Sequence, residues 1–218
     1  MEREKNCFHI VTAVIFMLYS VMNINTSVWS SWHDYIDPFE AWLIGYKVST
    51  LLILAICATF STIASLAASC YIILRKRGPL LVSFSACLLA KLIEMIILCN
   101  KFSGYVSNGA PFMDYYLFPI VPYFMTAISM SCVIIAIICS MNKNKFYRLH
   151  KLIFIVHIIC CAVGSAWIAI TLLYYSVQQQ NLLLPSLEDL TMLFYYVSNV
   201  LIGIWLKFSQ KSDTVHVT

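Results

Sequence analysis

Charged side chains are scarce in this sequence, 11% of 218 residues, less than half of the roughly 25% that a soluble domain spreads over its surface. A chain so poor in charge and 61% hydrophobic cannot cover its apolar residues in water, which excludes a large soluble domain. Glycine and proline are also few, six of each, and this excludes collagen-like and low-complexity chains. No aspartate falls inside a long apolar run, so the pair used by an intramembrane aspartyl protease is missing. There is no HExxH, and Gly164-Ser165-Ala166 lacks the flanking pattern of a GxSxG elbow. No CxxC occurs among the nine cysteines. Seven of them lie within apolar runs and Cys7 and Cys99 at run ends, as small packing residues rather than a disulfide or zinc framework. These absences predict a protein that is not an enzyme and carries no cofactor or metal.

What is present is a set of apolar stretches near the 20 residues needed to cross a bilayer. Six qualify, at 8–24, 46–74, 80–99, 115–141, 152–177 and 190–206; they are too long and too continuous for strands of a membrane barrel. The expected fold is all-α: a polytopic membrane protein with six transmembrane helices in one bundle, a single domain over 1–218. The intervening loops are too short for an independent core. An even number of spans puts both termini on one side. The segments on that side hold Arg3, Lys5, Arg75, Lys76, Arg77, Lys143, Lys145, Arg148, Lys151, Lys207 and Lys211, whereas the opposite segments hold only Lys47 and Lys101. Positive residues in short loops stay in the cytoplasm, so both termini are expected there. The net charge of +4 is distributed by membrane side rather than gathered in a patch, which predicts no nucleic-acid partner. Arg3 and Lys5 precede the first run, yet it exceeds a signal-peptide core and no small-x-small site follows, so it is expected to remain as a span. Asn25-Thr26-Ser27 forms a glycosylation sequon on the expected outer side, almost at the membrane.

The third span carries the most informative feature, an intramembrane charge pair formed by Lys91 and Glu94. Counting from Leu80 at about 1.5 Å per residue puts them about 16 and 21 Å deep, near the centre of a 30 Å slab. A charge there costs about 2.5 to 3.5 kcal/mol, so neither is expected to face lipid. A spacing of three puts both on one helical face with Ser83, Cys87 and Ala90. One reading is a proton or ion relay, or a polar floor for a lipid headgroup. The other is a self-neutralising pair that fixes how the helix is rotated in the bundle.

His157, Cys161, Ser165 and Ala169 recur every four residues, so His157 and Ser165 are expected to be polar groups in a helix-packing face. Facing histidine pairs for a haem are lacking, since only His9 and His157 lie within spans. Ala58, Ser61, Ser65 and Ala68 form a small-residue stripe for close helix approach, and Pro119 and Pro122 mark the first turns of the fourth span.

After the first span, Trp29, Trp32, Tyr35, Ile36, Phe39 and Trp42 share one side of a helical projection, opposite His33, Asp34, Asp37 and Glu40. This predicts an interfacial aromatic loop lying along the outer leaflet, bent at Pro38. Within it, Tyr35, Ile36, Asp37, Pro38 and Glu40 form a Tyr-Ile-Asp-Pro-x-Glu stretch leading into a long second span. With six spans and inner termini, this layout resembles the damage-regulated autophagy modulator (DRAM) family and its six-span relatives. The resemblance implies a non-enzymatic membrane protein of lysosome, endosome or cell surface that influences autophagy or membrane lipid organisation, with lipids and a membrane-protein partner as its associates. Two other functions compete: a small transporter or channel lined by Lys91 and Glu94, and a lipid-modifying enzyme working under Trp29 to Trp42 through His33 or Asp34. The sequence fixes neither ligand nor oligomeric state.

Overall fold

The computed structural model describes residues 2–37, 47–109, 112, 117–141, 147–178 and 186–214. Among these there is no strand; helices account for nearly all of them. The first helix, α1 (Glu2–Asn23), passes through a π-helical turn (Ile24–Trp29) into α2 (Ser30–Ile36). Then come α3 (Val48–Ile73), α4 (Arg77–Ser107), α5 (Phe118–Met141), α6 (Tyr147–Gln178) and α7 (Leu187–Thr214). Six helical stretches are long and apolar enough to cross a membrane: Cys7–Ile36, Val48–Ile73, Arg77–Lys101, Ile120–Met141, Leu149–Val177 and Leu187–Lys207. The chain is thus a multi-pass integral membrane protein by its architecture.

The first stretch differs from the sequence expectation. The apolar run predicts a span over 8–24 followed by an interfacial loop. Instead the helix continues for a further three turns, to Ile36, and α2 packs against α3. Trp32 Nε1 donates to Thr59 Oγ1 at 2.9 Å, so this indole points into the bundle rather than along a leaflet. Polar residues are tolerated here because their groups are satisfied internally. Asn23 Nδ2 donates to Thr62 Oγ1 (2.6 Å) and Asn23 Oδ1 accepts from Ser27 Oγ (2.8 Å). Thr26 Oγ1 donates to the Met22 carbonyl (3.2 Å). Side chains that bond the local backbone compete with the regular i−4 ladder, and the wider π turn forms where they cluster. Phe39 and Trp42 of the expected aromatic loop, and Pro38 and Glu40 of the family-like stretch, lie outside the described residues.

Two local motifs set the ends. At the end of α3 the Lys76 N–H reaches the Tyr71 carbonyl (3.0 Å) and the Arg75 N–H the Ile72 carbonyl (3.2 Å), with Arg75 left-handed at φ 54°. This is a Schellman turn, and it folds α4 directly back on α3. At the start of α7, Ser186 Oγ accepts from the Asp189 N–H (3.1 Å) while Asp189 Oδ2 accepts from the Ser186 N–H (2.9 Å). The reciprocal pair is a capping box that fixes where the helix begins.

The helices close on one another in the order α1, α3, α4, α5, α7 and back to α1, and α6 packs against both α5 and α7. The α3 stripe of Ala58, Ser61, Ser65 and Ala68 is buried, and α3 and α4 pack most extensively. Cys87 Sγ donates to the Ser61 carbonyl and lies beside Ser65 Oγ, each at 3.3 Å. Side chains this small let the two backbones approach. Elsewhere the outside of the bundle is aliphatic: Ile53, Ile56, Phe60 and Ile63 follow one exposed face of α3. In water such a surface is a liability, whereas in lipid it is the expected solvent-facing side.

Contacts among helix ends divide the bundle into two faces. Arg75 donates to His9 Nδ1 (3.2 Å), Arg77 Nη1 to the Ser140 carbonyl (2.7 Å), and Lys207 Nζ lies 4.3 Å from the Phe154 ring centre. These residues mark the cation-rich face. The opposite face carries Asp34, Lys101, Glu188 and Asp189 at or near helix ends.

A polar chamber above a buried ion pair

A chamber of about 440 Å³ occupies the half of the bundle near the acidic face. Such volumes are typical of small-molecule sites. Its floor is built from three helices. Lys91 is the fifteenth of the 31 residues of α4, so with Glu94 it sits at mid-helix. Lys91 Nζ donates to Glu94 Oε2 at 2.7 Å, and the two side chains are only 11% and 8% exposed. Glu94 Oε1 is buried and has no hydrogen-bond partner among the described residues. Tyr19 from α1 and Tyr195 from α7 complete the floor, with ring centres 5.1 Å apart.

Beneath the floor the bundle is solid. Phe16 stacks on Phe84 and on Tyr19, each pair at 5.6 Å, and Tyr195 packs edge-on to Tyr196 at 5.4 Å. Met130, one turn past Thr126, and Ile137 and Ile202, deeper toward the cation-rich face, belong to the same core and are fully or almost fully buried.

The walls are hydroxyl-rich. Ser27, Ser30 and Ser31 come from the extended first helix, Thr126 from α5, Thr171 from α6 and Thr191 from α7. Asn23 also lines the chamber, through the side chain that ties α1 to α3. At the mouth stand three carboxylates, Asp34 of α2 and Glu188 and Asp189 of α7. The capping box with Ser186 holds Asp189 in place there. The chamber therefore runs from an acidic rim, past neutral donors and acceptors, to one cation and one anion at mid-depth.

Of the site residues singled out in sequence, Lys91, Glu94 and Asp34 meet this chamber; Ala58 and Pro122, read there as packing and helix-start residues, also line it. Trp29 and Ile36 lie on the outer surface, 69% and 77% exposed, and Tyr35 packs edge-on against Trp32 at 5.8 Å. Asp34 lines the chamber, whereas His33 is exposed and does not. His157 lies in the opposite half of the bundle, where α5, α6 and α7 meet. Its Nε2 is 2.7 Å from the Asn199 carbonyl and therefore carries the hydrogen, and Nδ1 faces Ser129 Oγ at 3.4 Å. Ser165 Oγ donates to the Cys161 carbonyl one turn back (2.9 Å). Among the described residues no group of three His, Cys, Asp or Glu is placed to hold a metal ion. All nine cysteines are free.

Sequence reasoning missed Asn23, Ser27, Ser30, Ser31, Tyr19 and Tyr195. A signal was there: polar residues at 23, 27, 30 and 34 keep one helical face. It was hidden because the same residues also resemble the polar exit of a short span. Comparison of the chain with protein-family models, with curated protein sequences and with solved structures gives no match.

Proposed function

We propose that this chain is a non-enzymatic multi-pass membrane protein that binds a polar ligand in its chamber and thereby acts on membrane lipid organisation or autophagy, in the manner of the DRAM family it resembles. The observation that supports this reading is the chamber itself, a hydroxyl-lined cavity with a buried ion pair as its floor. Buried charges in membrane helices mark ligand or ion sites more often than they serve as packing, because an apolar side chain would fill the same place at lower cost. The cation-rich face and both termini are assigned to the cytoplasm by the positive-inside rule, so the acidic mouth opens to the lumen of a lysosome or endosome, or to the cell exterior.

Two comparisons test this. Ser30→Cys, at the chamber wall, is expected to react with a membrane-impermeant maleimide applied outside intact cells, well above wild-type background. Then cells carrying the wild type or the chamber-filling Ser31→Trp are compared for autophagic flux and leaflet lipid distribution. A correctly inserted variant that retains the full wild-type effect overturns the reading.

A second reading, a transporter, is favoured by the one-sided form of the chamber: an open mouth, a charged floor and a packed layer beneath it describe one state of an alternating-access carrier. It requires a pH-dependent flux in reconstituted vesicles that Glu94→Ala abolishes.

A further inference from the structure

We infer that the chamber takes a zwitterion, a group carrying an ammonium and an anionic oxygen group a few ångströms apart. This rests on the reading of the chamber as a ligand site. Its basis is the unused bonding capacity of the floor. An ammonium has three N–H donors, and Lys91 directs one to Glu94 Oε2. Glu94 is 6% exposed and lines the chamber, and its second oxygen, Oε1, is buried just behind that surface without a partner among the described residues. A buried carboxylate oxygen left unbonded costs about 1 to 3 kcal/mol or more, so the site is incomplete as it stands.

What completes it must satisfy both residues. A simple cation on Glu94 Oε1 would stand beside the Lys91 ammonium and leave the floor with net positive charge. A simple anion on Lys91 would crowd Glu94 in the same way. A zwitterion meets Oε1 with its ammonium and Lys91 with its carboxylate or phosphate, and the floor stays neutral. Nζ and Oε2 are 2.7 Å apart, so the two anchoring points lie within about 3 to 5 Å of each other. That spacing fits an α-amino acid and an aminoethyl phosphodiester. The acidic rim of Asp34, Glu188 and Asp189 acts earlier, raising the local concentration of molecules that lead with their ammonium. Free solutes and phospholipid headgroups share this chemistry.

The test uses the full chain purified in maltoside detergent, with affinity read by calorimetry. Glycine and glycerophosphoethanolamine are the free zwitterions, ethanolamine and acetate the singly charged controls. Lysophosphatidylethanolamine against lysophosphatidylglycerol is the lipid arm. At least one zwitterionic probe is expected to bind ten-fold or more tightly than every singly charged probe. Binding of glycine or glycerophosphoethanolamine identifies a solute site; binding confined to lysophosphatidylethanolamine identifies a headgroup site. Glu94→Gln is expected to weaken that binding at least ten-fold. Where this variant does not fold, the paired replacement Lys91→Leu with Glu94→Leu removes both charges together and is expected to fold without binding. Ethanolamine or acetate binding as tightly as the zwitterions overturns the inference and leaves the chamber reading standing, as does zwitterion binding that survives the paired replacement. No binding by any probe overturns both.

Discussion

Lys91 Nζ and Glu94 Oε2 lie 2.7 Å apart within a single turn of α4, yet the lysine has donors and the glutamate an oxygen that the pairing does not consume. The pair is neutral as a unit and unstable in halves. Glu94→Gln strands a buried ammonium and is expected to destabilise the fold by about 3 kcal/mol, while the paired replacement by leucine restores most of that loss. Thermal unfolding of the two purified variants checks this. A Glu94→Gln protein as stable as wild type contradicts it.

Gly164 and Gly203 hold α6 and α7 together. A Cβ on Gly164 would fall on the Tyr196 ring, and one on Gly203 would come within 2.8 Å of His157 Cδ2. Gly164→Ala and Gly203→Ala are each expected to cost about 1 to 3 kcal/mol, through overpacking against rings that are locked in place. Tyr196→Ala should partly rescue Gly164→Ala and leave Gly203→Ala unchanged, which a double-mutant cycle measures.

Asn23 ties α1 to α3 through Thr62 and is itself braced by Ser27. Asn23→Leu removes both bonds. Interhelical hydrogen bonds in membranes average about 0.6 kcal/mol and reach about 1.7, so a loss of about 1 to 2 kcal/mol is expected. Thr62→Val, tested alone, should lose less, because Asn23 keeps its bond with Ser27.

Asn25 stands in the π turn, with ten helical positions between it and Ile36, the last residue of α2. Sugar is added to sequons on accessible surface segments, and this one belongs to a candidate span. Glycosidase treatment and Asn25→Gln are therefore both expected to leave the electrophoretic mobility of the expressed chain unchanged.

The six helices were legible in sequence because each leaves a long apolar run, and lipid demands such a run whatever the helix packs against. Pairing of Lys91 with Glu94 was also readable, since a spacing of three places both on one face. The chamber was not readable. Its lining is drawn from all six membrane-length helices, and no stretch of sequence contains more than a fraction of it. Reading the first span as ending near residue 24 had the same cause. Ser27, Ser30 and Ser31 look like loop residues when lipid is the assumed surroundings, and become reasonable helix residues once a polar interior is there to receive them.

The neutrality of the mid-depth couple also bears on voltage. Moving one elementary charge through the membrane field is worth about 2.3 kcal/mol per 100 mV, but a cation and an anion displaced together carry no gating charge. An empty chamber, or one filled by a molecule of zero net charge, is therefore electrically silent. An occupant of either sign would make the resting potential part of its own binding energy.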